Sequence, residues 1–205
     1  IYINASTLQM NHTVLHNNSA WRGGGIYQEG VGASSSQVSN SLFYSNTVRS
    51  TTGAAIRVVS GNFTSTHVTL ANHPGSAPAY SAGSGTNEVR NSIAWGNAAG
   101  GFQGTYVITD CNIDQSANVG INVDPHFIAP GVGEDYHLFG DSPAIDACAT
   151  GLSPDLDNVL RPAVAAYDMG AYEYPYGLTF VPDRSEMGYP EPVSYTHLRA
   201  HETKA

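Results

Sequence analysis

Three groups of residues in this sequence could do chemistry. Asp110, Asn112 and Asp114 alternate, with Cys111 and Ile113 opposite, so on a strand they share one face. Paired carboxylates on such a face would suit glycoside hydrolysis. Asp155-Leu156-Asp157-Asn158 gathers side-chain oxygens of the kind that hold Ca²⁺. His12 and His67 offer imidazoles for proton transfer. Spacing weakens each of these. At the rise of an extended strand, Asp110 and Asp114 stand ~13 Å apart, too far to flank one glycosidic bond without a second coil. The 12-residue calcium loop needs a glycine after its third ligand and a later glutamate, and both are missing. Asp155 and Asp157 therefore remain candidates only for an irregular Ca²⁺ site, with pairing to Arg161 or turn capping as the alternative. His12 and His67 fall two repeats apart and read as isolated surface histidines. No nucleophile elbow, no metal-spaced His/Cys set and no phosphate loop is present, and Gly83-Ser84-Gly85 lacks the strand–helix setting. Asn-x-Ser/Thr triplets at Asn4, Asn11, Asn17 and Asn62 are expected by chance in so Asn-, Ser- and Thr-rich a chain. No catalytic residue and no cofactor beyond that Ca²⁺ is expected.

The elements that must position these groups form a repeat. Asn11–Asn17, Asn40–Asn46, Thr66–Asn72 and Asn91–Asn97 are alike, and Asn17, Asn46, Asn72 and Asn97 recur every 25 to 29 residues. A weaker fifth unit starts near Cys111. With these asparagines as anchors, alternation puts Thr13/Leu15, Leu42/Tyr44, Val68/Leu70 and Ile93/Trp95 inward. One coil cannot bury its apolar face, but a stack can, with strands ~4.8 Å apart. Asn17, Asn46, Asn72 and Asn97 are expected to form a structural ladder at a bend, because asparagine tolerates left-handed backbone and its amide can bond along the stack. Gly, Pro or Asn interrupts nearly every helical window, leaving only a short turn near residues 163–166.

Composition narrows the partners. Lys and Arg number 8 against 17 Asp and Glu, a formal charge of −9, which leaves no footprint for nucleic acid. No run approaches the ~20 apolar residues of a membrane helix. Cys111 and Cys148 are too few for a disulfide framework. They are expected as two separately buried thiols, with a single bridge as the alternative in a secreted protein.

Asp124-Pro125-His126-Phe127, Asp135-Tyr136-His137-Leu138, Ser142-Pro143-Ala144-Ile145-Asp146-Ala147, Asp155-Leu156-Asp157-Asn158, Arg161-Pro162 and Asp168–Tyr174 follow one another in order. This order resembles the C-terminal segment of bacterial choice-of-anchor Q proteins, in the pectate-lyase-like superfamily. Phe43-Tyr44-Ser45-Asn46 and Gly23-Gly24-Gly25-Ile26 are also similar to repeats of polymorphic outer-membrane proteins. The resemblance implies an all-β fold, a right-handed parallel β-helix (solenoid) of about five coils with an irregular β C-terminal cap. It implies coils over 1–130, signature and cap over 131–174, and a linker over 175–192. Asp168–Tyr174 is expected as a final strand covering the last coil. Cys148 stands where the family usually has glycine. Residues 193–203 resemble a translated sequencing adapter, so 193–205 are set aside as adapter-derived, in a gene fragment cropped at both ends. The function implied is extracellular or cell-surface: a monomeric, non-catalytic β-helix for adhesion or contact with polysaccharide or cell-surface glycan. The alternative is part of a polysaccharide lyase or glycoside hydrolase whose active coils lie upstream.

Overall fold

A computed structural model describes residues 1–30, 35–108, 111–131 and 133–175; the expected linker and adapter-like tail lie outside these, as does Asp110. Among the described residues there is no helix, and 163–166 are bends. The first coil runs through β1 (Tyr2–Asn4), β2 (Gln9–Asn11), β3 (Val14–His16) and β4 (Ser19–Ala20). The second holds β5 (Ile26–Glu29), β6 (Ser35–Tyr44) and β7 (Thr47–Val48), and the third β8 (Ile56–Val58) and β9 (Asn62–Ala71). The fourth holds β10 (Tyr80–Ala82), β11 (Asn87–Arg90) and β12 (Ile93–Trp95). The last short strands are β13 (Phe102–Gln103), β14 (Val107–Ile108) and β15 (Ile113–Asp114). A hairpin of β16 (Phe127–Ala129) and β17 (Asp135–Leu138) follows.

These strands stack in parallel as a β-solenoid. One face is the sheet β1-β5-β8-β10-β13; the other is a bent sheet in which β6 and β9 run unbroken where neighbouring coils have two short strands. Only the middle coils are paired on both sides along both faces, so the regular solenoid amounts to about three turns rather than the expected five. The strands of the end coils are only two or three residues long and pair on one side.

The interior is built of side-chain columns. Ile26, Ile56, Tyr80 and Phe102 lie in register and are at most 1% exposed. Leu15, Phe43, Leu70 and Ala94 form the matching column of the bent sheet. Each large side chain so buried contributes roughly 1.5–3 kcal/mol. Gly25 leaves room for this, since a Cβ there would come 2.8 Å from the Phe43 ring.

The expected inward set holds for Thr13/Leu15 and Val68/Leu70 and is reversed for Leu42/Tyr44 and Ile93/Trp95. The register pairs Leu15 with Phe43 and Leu70 with Ala94, so Leu42, Tyr44, Ile93 and Trp95 face outward. Asn46 and Asn97 stand one strand position later than Asn17 and Asn72, and a one-residue slip turns every side chain over. The outward residues form a second core with Phe127, Tyr136, Leu138, Ala144, Cys148, Met169 and Ala171. Parallel strands covered on both faces lose the apolar–polar alternation, as in Leu42-Phe43-Tyr44, all buried.

That second core corrects the position of the C-terminal segment. It does not end in a strand over the last coil; it lies along the outside of the bent sheet. Tyr44 Oη donates to Glu134 (3.0 Å), and Asn72 Nδ2 donates to Tyr136 Oη (3.2 Å). The Ala171 amide donates to Thr69 Oγ1 (2.9 Å), and the Gly170 amide to the Asn91 carbonyl (2.7 Å). The open end is closed instead by the turn after Asp114. Val119 enters the interior core, and Asp114, fully buried in the Ala94 column, accepts the amides of Ser116, Asn118 and Val119.

The cysteines are joined. Cys111 on the last coil and Cys148 on the outer cover form a disulfide with Cα atoms 5.7 Å apart, correcting the expected pair of separate thiols. Lateral docking of the cover is what brings them together. Cys148 itself forms an antiparallel bridge with Tyr167, and the left-handed backbone falls on Asp146 (φ 51°) instead.

The four asparagines divide between two columns. Asn17 and Asn72 take left-handed backbone (φ 53° and 51°), in line with Ser45 and Gly96. Asn46 and Asn97, at most 3% exposed, belong to the next column, which reads Asn18, Asn46, His73, Asn97, Gln115. Asn46 Oδ1 accepts the Asn18 amide (3.0 Å), His73 Nδ1 the Asn46 amide (2.9 Å), Asn97 Oδ1 the His73 amide (3.1 Å) and Gln115 Oε1 the Asn97 amide (2.7 Å). Burial holds the His73 pKa down to about 3, so its ring is the neutral acceptor this rung needs. Asn46 Nδ2 also satisfies the Leu15 carbonyl (2.8 Å). Asn46→Ala strands a part-buried amide and a part-buried carbonyl and is expected to cost about 1–3 kcal/mol, whereas exposed Asn17→Gly should cost a few tenths. Chemical denaturation of the two variants checks this, and equal midpoints would contradict the ladder.

Candidate functional site

The acids of the C-terminal segment have mostly structural work. Asp155, 1% exposed, accepts the amides of Asp157 (2.9 Å) and Val159 (2.7 Å) on one oxygen and Glu173 (2.8 Å) on the other. Asp168 accepts the amides of Asp146 (2.7 Å) and Tyr174 (2.6 Å). Glu173 accepts those of Ala163 (2.9 Å) and Asp168 (3.1 Å), and Asp146 those of Ala165 and Ala166. Arg161 lies among them, its guanidinium donating to the Gly170 carbonyl (2.9 Å) with Nε 3.4 Å from Glu173. Burial raises the Asp168 carboxyl to about 7 and pushes Glu173 upward, and burial lowers Arg161. A loop without regular structure is thus held by carboxylates on its own amide groups.

Donors around Asp155 occupy the oxygens a cation would need. Asp157 points elsewhere, to His137 Nε2 (2.7 Å). Among the described residues no three His, Cys, Asp or Glu side chains are grouped to hold a metal. Asp155 and Asp157 are therefore not assembled around one Ca²⁺ position. Asp114 is likewise committed to backbone amides. Asn112 is buried and accepts the Ser92 amide (2.8 Å).

His12 and His67 share a left-handed bend with Asn40 and Asn91 (φ 43–53°). His67 is not a surface histidine: it is fully buried beneath the cover, within 3.1 Å of Asn91 Nδ2. Burial, with the nearby Arg161 charge, lowers its pKa to about 3. His126 lies 2.9 Å from Asp141.

The concave surface with functional chemistry is a cleft of about 350 Å³ between the first half of the bent sheet and the loop Thr150-Gly151-Leu152. Its floor comes from outward positions of consecutive coils. Gln37, Thr64 and Glu88 form one row in register, and Thr66 and Arg90 belong to the next. Row neighbours are one strand spacing apart, ~4.8 Å. Asn91 Nδ2 donates to the Thr150 carbonyl (2.5 Å) and so fixes the wall to the floor. Arg90 and Glu88 pair at 2.9 Å, leaving the floor without net charge. Leu152, 44% exposed, supplies an apolar rim. Among the described residues Glu88 is the one carboxylate lining the cleft, so none of them sets a second acid across from it.

A second groove, of about 500 Å³, lies on the first coil. Trp21 is exposed there, Tyr2 and Tyr27 stack with centroids 5.7 Å apart, and both hydroxyls donate to Glu29. Sequence reasoning passed over both grooves. Alternation in Gln37, Thr64, Thr66, Glu88 and Arg90 is readable, but the wall comes from residues 60 to 115 positions away and has no local signal.

The fold and these sites define a parallel β-solenoid with a stapled outer cover. Comparison with family models, curated proteins and solved structures returns no match. Among the described residues no helix is long and apolar enough to cross a membrane.

Proposed function

We propose that the chain is part of an extracellular or cell-surface protein of the choice-of-anchor Q kind that contacts glycan through the cleft without cleaving it. The observation that carries this is the floor: amide, hydroxyl and paired-ion side chains from three consecutive coils beside an apolar rim. Sugar hydroxyls need closely spaced donors and acceptors, and pyranose C–H faces need an apolar contact. An acidic chain whose Arg90 is already paired favours neutral over anionic saccharides. Glycosidic cleavage by a carboxylate pair would need a second acid, and the described residues of the lining supply one, Glu88.

Thr64→Arg, together with Thr66→Arg, fills the cleft from half-exposed positions. On a glycan array this double variant should lose about tenfold or more in affinity for any neutral glycan the parent binds, a loss of at least ~1.4 kcal/mol. Undiminished binding, or cleavage of a polysaccharide by the parent, would overturn the proposal.

A further inference from the structure

We infer that His137 is a proton-operated fastening between the two parts of the outer cover, the hairpin β16–β17 and the segment 155–173. The ring has a carboxylate at each nitrogen: Asp135 Oδ1 is 2.6 Å from Nδ1, and Asp157 Oδ2 is 2.7 Å from Nε2. A neutral imidazole has a single N–H, so only the doubly protonated ring donates to both. Asp135 is on the same strand as His137, so the Asp157 contact is the one of the pair that crosses the seam. The ring also lies on Tyr172, with centroids 3.9 Å apart and planes at 29°.

The other charged groups near the seam are accounted for. Glu134 accepts from Tyr44 on the solenoid, and Asp155 is occupied by backbone amides. The side chains of Asp135, His137 and Asp157 are 38%, 39% and 51% exposed, so protons exchange freely with solvent. Loss of one proton leaves a ring lone pair facing a carboxylate at hydrogen-bond distance. The more exposed partner, Asp157, is the one free to swing away.

Burial acts against the imidazolium, but its hydrogen bonds to Asp135 and Asp157 outweigh burial, so the His137 pKa is raised. The same contact lowers that of Asp135. A raised folded value means the stabilisation is complete below the ordinary histidine pKa and is lost as pH rises through the folded one. The cover is therefore fastened below the ordinary histidine pKa, while Asp135 and Asp157 are ionised, and loosens along this seam as pH rises through the raised one. This stands apart from glycan contact and needs no ligand.

Two measurements on the whole chain test it: ring nitrogen NMR of His137 across pH, and amide hydrogen exchange corrected for its intrinsic pH dependence. His137 should keep both ring protons to a pH above that of free histidine. Protection of amides 155–160 should fall roughly two- to fivefold as it deprotonates, the scale of exposed ion pairs. Asp157→Asn should show the low protection at every pH. A His137 that titrates at or below the free value overturns the inference, as does seam protection unchanged through its titration. Glycan-array results bear on the cleft alone, so either reading can fail without the other.

Discussion

Arg161→Met is expected to lower the stability of the fold by about 3–5 kcal/mol, since removing one partner leaves the other buried charges uncompensated. Arg161 is 5% exposed, and Asp155, Asp168 and Glu173 around it are no more than 2% exposed. It is the cation that makes three buried acids tolerable. Its Nη2 bond to the Gly170 carbonyl also holds the residue that docks on Asn91 of the solenoid. Arg161→Lys should rescue little, because an ammonium cannot reproduce the planar fork.

The loss should also depend on pH. Burial already holds the Asp168 pKa near 7 and raises that of Glu173, so the folded state takes up protons that the unfolded state releases. Their contribution is complete below the ordinary carboxyl range and is lost as pH rises through the folded values, towards about 7 for Asp168. Without Arg161 both should rise further. Urea unfolding at pH 5 and pH 8 should show a smaller penalty at the lower pH. A penalty independent of pH would mean that lost shape, not lost charge, dominates.

Cys111→Ser is expected to cost about 4 kcal/mol, from the chain entropy returned when a bridge across a sequence separation of 37 is opened. Cys148→Ser should match it. The cover should loosen before the coils do, because the bridge joins the last coil to a segment otherwise held by a few hydrogen bonds and the second core. Thermal melts with and without reductant, followed by exchange of residues 133–175, read this directly. Equal midpoints would show that lateral docking alone fixes the cover.

The parallel solenoid was legible because apolar residues recur with asparagines in every coil, and its period is one feature no helix or hairpin mimics. Its in–out assignment was half legible. Asn17 and Asn46 look equivalent in sequence, yet one bends the backbone and the other bonds within the stack, and His73 fills a rung that carries no asparagine. The signature near the end could be read as a landmark but not placed. Its acids bond to their own loop, which sequence shows only as scattered Asp and Glu, and its docking face is a second apolar stripe hidden in Leu42-Phe43-Tyr44. The cleft was least legible, because floor and wall meet only after the cover has docked.

A stack of coils usually comes apart like beads, each unit held only by its neighbours. The outer cover acts as a strap, tying Tyr44, Thr69, Asn91 and Cys111 to one continuous segment. Coils that share no hydrogen bond with one another are therefore coupled through it. Under tension along the stack, load passes into the strap and its sulfur bridge, so the covered coils should yield together in one large step.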